Sequence, residues 1–378
     1  TLSLIPVGHP KRSLSLTNLA ATLSIHFDQL GEMADLEEAI TLDREALHLR
    51  PVGHPGRSIN LSNLAATMST YFDQPVGQMA DLEEAIKLFR EALSLRPVGH
   101  PDRSGNLSNL AACLLTHFHQ SREMADLEEA IALHREALSL TPVAHPYRSD
   151  CLSHLAFTLE THFDELGKVA DLDEAISLYN DAYNTYSPGR PDKIHSIRGL
   201  ARLLLQRESQ SMTKNDFTNK AWELYEQASD YIYANTTSRL KSTSSWATAA
   251  HKNKHESTGT AYEKALGLLE QCLIVRPTLE LQHNFFQTVQ RISTLTSNTV
   301  SWAIEIEQLQ KAVQLWERGR GIMWSKMKDY RSDQIEQLRI HDAALAVQFE
   351  NVTQQLEQFA TRSSQSELLN NQHQENKW

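Results

Sequence analysis

Apolar residues recur along the first half of the chain at steps of three and four. Leu61, Leu64, Ala65, Met68 and Phe72 fall at i, i+3, i+4, i+7 and i+11, one stripe of a 3.6-residue helical period. The same columns hold Leu16, Leu19, Ala20, Leu23 and Phe27, then Leu107, Leu110, Ala111, Leu114 and Phe118, then Leu152, Leu155, Ala156, Leu159 and Phe163. A second stripe follows each; in the second copy it is Leu82, Ala85, Ile86, Phe89 and Leu93. Ahead of every second stripe stands an aspartate with a glutamate three residues on: Asp35/Glu38, Asp81/Glu84, Asp126/Glu129 and Asp171/Glu174. That spacing predicts a capping box with the aspartate at the N-cap. Each unit therefore reads as two helices, with alanines at Ala20 and Ala39 and their equivalents allowing close packing.

The unit is bounded by a phrase read as Pro-Val-Gly-His-Pro, beginning at Pro6, Pro51 and Pro97, and at Pro142 with alanine for glycine. The prolines are 45, 46 and 45 residues apart, and the extra residue lies between Phe72 and Glu84, where a loop tolerates it. Periods of this size mean stacked supersecondary units. Pro55 is expected at the first helical position and His54 as a cap. The following arginines, Arg12, Arg57, Arg103 and Arg148, are expected to pair with nearby acids. Residues 1–5 match the end of later units and read as the tail of a truncated preceding repeat.

In the second helices the pattern Ala-x3-large-x2-Ala-x4-Pro appears as Ala39, Asp43, Ala46, Pro51, as Ala85, Phe89, Ala92, Pro97, and as Ala130, His134, Ala137, Pro142. It resembles the tetratricopeptide repeat (TPR), lengthened at the helix–helix turn and around the Gly-His-Pro loop. The long period is similar to that of kinesin light chains, and the phrase is most similar to the TPR region of fungal TPR–CHAT (aromatic di-alanine and TPR) proteins. Worn copies continue in Gly189–Gln206, in Ala221, Tyr225 and Ala228, in Ala265, Leu269, Cys272 and Pro277, and in Ala312, Trp316 and Gly319. The resemblance implies an all-α, right-handed TPR-like superhelix of antiparallel helix pairs, an α-solenoid. Its expected layout is four regular repeats over 6–187, three degenerate pairs over 188–321, capping helices over 322–360 and a disordered tail over 361–378. The polar stretch Asn235–Thr260 is expected to be a mobile loop. Ala312–Arg331 resembles the junction that leads into the caspase-like CHAT peptidase in that family; no strand-and-helix pattern for such a domain follows in this sequence.

Composition narrows the function classes. The 378 residues carry a net charge of −11, which argues against a phosphate-binding surface and hence against nucleic acid. No apolar run approaches the ~18 residues that span a bilayer. Three scattered cysteines, Cys113, Cys151 and Cys272, form no zinc spacing and read as buried thiols in a reducing, cytoplasmic compartment. The histidine column His9, His54, His100 and His145 belongs to successive units, too far apart for one ion; His26, His117 and His162 read as helix-surface groups. Cys113 and His117 lie one turn apart but lack an oxyanion hole and an orienting group. No catalytic residue, metal or cofactor is expected.

What remains is a surface. The resemblance implies that first helices line a concave face. Asn18, Asn63 and Asn109 recur there, with His154 in the fourth copy, and Thr17, Ser62, Ser108 and Ser153 stand one residue earlier. An amide offers both a donor and an acceptor to an extended peptide. These eight residues are the expected groove of a non-enzymatic scaffold for a protein or peptide partner, with a monomer favoured. The alternative is a regulatory arm of a TPR–CHAT protease. Leu345, Phe349, Val352, Leu356 and Phe359 at near-heptad spacing are too few for a coiled coil.

Overall fold

The computed structural model describes residues 6, 9, 11–74, 76–187, 189–210, 217–274, 285, 294–319, 339 and 345. The expected capping helices, tail and heptad residues fall outside them, apart from two isolated positions. Two compact units are present: Thr1–Pro277 with Leu281–Trp302, and Thr278–Glu280 with Ala303–Trp378. In the second, the described residues include a helix over 309–319 that buries Ala312 and Leu315.

The first unit is all helix and loop among the described residues. Its helices are α1 (Arg12–Leu30), α2 (Met33–His48), α3 (Arg57–Phe72), α4 (Met79–Ser94), α5 (Arg103–Ser121), α6 (Met124–Ser139), α7 (Arg148–Leu166), α8 (Val169–Thr185), α9 (Lys193–Ser209), α10 (Phe217–Ser229), α11 (Thr236–Lys252) and α12 (Thr258–Ile274); α13 (Leu295–Glu305) begins at its end. Packing runs in single file, each odd helix against its even successor and each pair against the next. The apolar stripes are the buried faces: Leu61 is buried, and Leu64, Ala65 and Met68 meet Leu82, Ala85, Ile86 and Phe89 in one cluster with Leu110, Ala111 and Leu114 of the next pair.

The recurring phrase is an interlocked corner. His54 N–H donates to Pro51 O at 3.0 Å and Arg57 N–H to His54 O at 2.9 Å. Gly53, at φ 90°, supplies the left-handed residue this turn uses. The His54 ring accepts the Gly56 N–H at 3.0 Å, as His100 and His145 do for Asp102 and Tyr147 at 3.1 and 3.2 Å. The histidine thus caps, but the proline is not the first helical residue. Its turn carries the chain through Gly56, and the helix opens at Arg57. Arg50 then reaches forward to Gly56 O and Asn60 Oδ1 at 2.8 and 2.7 Å, while Arg57 reaches back to Arg50 O at 2.9 Å.

The arginines pair as expected in three copies, Arg12 with Glu45, Arg57 with Glu91 and Arg103 with Glu136, at 2.7–2.8 Å. In the fourth, Asp181 stands where the glutamate was, and Arg148 donates to the Leu138 and Thr141 carbonyls instead. Arg57→Met is expected to lower stability by about 1–2 kcal/mol, since Glu91 and the Arg50 carbonyl lose their charged donor; a urea midpoint equal to wild type would show the corner to be idle.

Two expectations change. The aspartates are not N-caps: the second helices start two residues earlier, so Asp81 is the third helical residue and accepts the Gln78 N–H at 2.9 Å. In the other copies the same aspartate accepts from the preceding helix, in His26–Asp35, His117–Asp126 and His162–Asp171 at 2.6–2.7 Å. Those histidines clip the two helices of a unit together; Tyr71 in the second copy offers no ring nitrogen, and Asp81 turns back to its own helix. Secondly, Asn235–Thr260 is not a loop. Asn235 caps α11 through Ser238 N–H at 2.8 Å. The hydroxyls of Ser242, Thr243, Ser245 and Thr248 bond carbonyls four residues back. Leu240, Trp246, Ala247 and Ala250 form its buried stripe.

Candidate binding groove

First helices α5, α7 and α9 enclose a groove of about 720 Å³, with Tyr179 and Tyr186 of the α8 segment in its wall. Of the expected residues, Asn109, His154, Ser108 and Ser153 line it; Asn18, Asn63, Thr17 and Ser62 lie on earlier turns of the same array, outside that lining. Asn18, Asn109 and His154 are exposed and Asn63 is half-buried. The hydroxyl column is engaged in helix packing. Thr17 Oγ1 donates to Ser13 O, Ser62 Oγ to Ser58 O and to Asn106 Oδ1, and Ser153 Oγ meets Ser196 Oγ at 2.6 Å. Buried Asn60 and Asn106, not singled out in the sequence, complete this ladder between successive first helices; Asn60 Nδ2 donates to Ser13 Oγ at 3.2 Å.

Two of the groove positions are backed by a side chain of the preceding second helix. Tyr179 lies against Gly199, where an added Cβ would meet the ring at 2.4 Å. The His134 ring is 5.8 Å from His154. Burial, reinforced by His154, drives the His134 pKa down to about 3. His154 itself opens on the groove, yet the surrounding walls strip enough water from it to lower its pKa as well. His195 falls to about 4, by burial first and then by Arg198. These rings are neutral at pH 7.

The groove has two polar ends. At one, Tyr186 Oη donates to Asp150 Oδ1 at 2.7 Å and Arg190 bridges Asp150 and Asp192 at 3.3 Å each. At the other, Glu160, 2% exposed, pairs with Arg202 and accepts from Tyr179 Oη at 3.5 Å. Burial pushes the Glu160 carboxyl up to about 7 against the attraction of Arg202. The repeat pattern does not announce His195, Arg198 and Arg202, although they fall at i, i+3 and i+7 of α9, one face of that helix.

Single-file helix pairs with a lined inner groove settle the architecture. The fold is a TPR-like α-solenoid. No family model and no curated protein matches the chain. Among solved structures it is similar to a Podosopora anserina protein of the kinesin-light-chain type with nearly identical TPR-like repeats, at 18% identity over 59% of this chain and 95% of that one, TM-score 0.43. It is also similar to TTC0263, a TPR protein of Thermus thermophilus, at 16% identity over 62% and 98% of the two chains, TM-score 0.42. A third is Acl4, the assembly chaperone of RpL4, at 15% identity over 74% and 96%, TM-score 0.44.

Elsewhere chemistry is sparse. His26, Glu32 and Asp35 bring ligand atoms within 4.8 Å of one another, though His26 already bonds Asp35. Cys113 donates to Ser69 Oγ at 3.5 Å, and burial pushes its thiol pKa up to about 11; His117 is held by Asp126, so the two do not form a dyad. No helix among the described residues is long and apolar enough to cross a membrane.

Proposed function

We propose that the chain is a cytoplasmic, non-enzymatic scaffold that holds an extended segment of a protein partner along its first helices, across Asn18, Asn63 and Asn109 and into the α5–α7–α9 groove. One observation carries this reading: Asn109, His154 and Phe157 present an amide, a neutral ring and an apolar ring on an open groove whose backbone polar groups are already satisfied by the helices. Backbone hydrogen bonding by the amides gives affinity, and the aromatic wall selects side chains. Asn63→Ala/Asn109→Ala is expected to weaken binding of a randomised nonapeptide pool to the full chain about tenfold, the equivalent of about 1.4 kcal/mol. The melting temperature should stay unchanged; a large drop in it would assign the amides to packing instead.

A second reading rests on the resemblance of Ala312–Arg331 to the pre-CHAT junction: the solenoid acts as the regulatory arm of a fungal TPR–CHAT caspase-like protease. Sequencing the transcript beyond Trp378 decides it. A following domain with paired His and Cys supports the arm, and a stop codon removes it.

A further inference from the structure

Three side chains meet at the turn between α1 and α2. His26 stands late in α1, Glu32 is the extended residue before α2, and Asp35 lies in its first turn. Among the described residues they are the one group of three whose ligand atoms, an imidazole nitrogen and two carboxylate oxygens, all lie within 4.8 Å of one another. The frame under them is fixed. Gly31, at φ 77°, returns its N–H to Phe27 O at 2.7 Å, and the Asp35 N–H reaches Glu32 O at 3.1 Å. Phe27 and Leu36, the chain neighbours of His26 and Asp35, are buried, while His26 and Glu32 are exposed.

The other copies show what sets this turn apart. In the second, Tyr71 replaces the imidazole. In the third, His117, Glu123 and Asp126 repeat the residue types, but Arg122 stands where the first copy has Gly31. There Ser121 Oγ lies 3.4 Å from His117 Nδ1 and accepts the Glu123 N–H at 3.2 Å. In the fourth, His162 and Asp171 keep their bond at 2.7 Å and Leu166-Gly167 repeats Leu30-Gly31, but Lys168 replaces Glu32. A cationic residue enters the turn in both later copies; from Phe27 to Asp35 the first copy carries none.

This corner draws positive charge. The hydrogen bond to Asp35 raises the His26 pKa against desolvation, and the charges of Asp35 and Glu32 add to the rise. Two carboxylates outweigh the positive end of the α2 dipole, about half a charge. A tetrahedral shell with ligand bonds of about 2.0–2.2 Å sets donor atoms roughly 3.4 Å apart. His26 Nδ1 and Asp35 Oδ2, now 2.6 Å apart, would part slightly, and the exposed Glu32 side chain would close in. An imidazole with two carboxylates suits a transition-metal ion, whereas calcium and magnesium take oxygen shells.

We propose that His26, Glu32 and Asp35 bind one divalent transition-metal ion of the zinc type. The ion takes the place of the proton between His26 Nδ1 and Asp35, and its fourth position stays open to water or to a donor from another molecule. It fastens α1 to α2 at their turn, and it is independent of the groove.

The test is zinc binding to the untagged full chain at neutral pH, read by competition with a chromogenic chelator. Wild type should retain one tight equivalent, which magnesium in large excess does not displace. Glu32→Gln leaves the His26–Asp35 bond in place. It should still weaken that equivalent about tenfold or more, since loss of even an outer-shell partner costs that much. His26→Gln should do the same, and Glu123→Gln should change nothing. Lys168→Glu, which completes the phrase in the fourth copy, should add a second equivalent. Without zinc, Glu32→Gln should melt with wild type; zinc should raise the melting temperature of wild type alone. A tight equivalent that survives both Glu32→Gln and His26→Gln, displacement by magnesium, or no tight zinc at all would overturn the site.

Discussion

Truncating Tyr179 to alanine is expected to lower stability by about 3–5 kcal/mol, the range for removing a large buried ring. The ring is 4% exposed and occupies the space that Gly199 leaves empty on α9, and its hydroxyl donates to Glu160. The fit is tested from the other side by Gly199→Ala. Alanine favours a helix over glycine by about 1 kcal/mol, but its methyl would enter a rigid, walled-in ring. Overpacking of about 1–3 kcal/mol should therefore win. Because the two residues share one space, Tyr179→Leu should relieve Gly199→Ala, and a double-mutant cycle from urea midpoints should be strongly non-additive. A neutral Gly199→Ala would mean that the ring is not wedged there.

The second large effect is a pH profile. Glu160 has a folded pKa of about 7 against an ordinary 4.5, raised by burial despite Arg202 and Arg198, with Asp164 adding repulsion. The folded state binds this proton more tightly, so the stabilisation is fully present below pH 4.5 and is lost as pH rises to 7. The loss is on the order of 3 kcal/mol. His134 and His195 act oppositely: their depressed values, about 3 and about 4, give stability above pH 6.5 that is lost on acidification. Glu160→Gln separates the contributions. The difference in stability between wild type and variant should shift in favour of the variant from about pH 5 to about pH 8, with Arg202, 44% exposed on its side chain, turning to solvent. A difference independent of pH would place the carboxylate in an ordinary polar setting.

The helix pairs were legible because their stripes are repeated, and repetition averages out the accidents of any one copy. Start points were less so. The aspartate–glutamate spacing matches a capping box placed too late, because the structure uses Asp81 as the return partner of Gln78 and uses its equivalents as acceptors for His26, His117 and His162. Composition misled at α11, where Ser242, Thr243, Ser245 and Thr248 bond carbonyls of their own helix and leave Leu240 and Trp246 to the core. In the groove the asparagine column could be read from its recurrence. The charged floor could not, since Arg198 and Arg202 replace Ser153 and Phe157 at a single, worn copy and recur nowhere. Asp43, 1% exposed and bonded by Thr67 at 3.1 Å, likewise stands where later copies place Phe89, His134 and Tyr179. No one-copy pattern announces a carboxylate that burial lifts to about 6.

The second helices of successive units are joined by one repeated pair, Arg44–Glu84, Arg90–Glu129 and Arg135–Glu174. Since the donor and acceptor sides of that joint are alike from copy to copy, the coding sequence can gain or lose a whole unit by unequal recombination without creating a mismatched seam. The α9 wall of the groove stays fixed while the array ahead of it lengthens or shortens. Lineages with different copy numbers would then keep the α5–α7–α9 groove and vary the length of first-helix surface ahead of it.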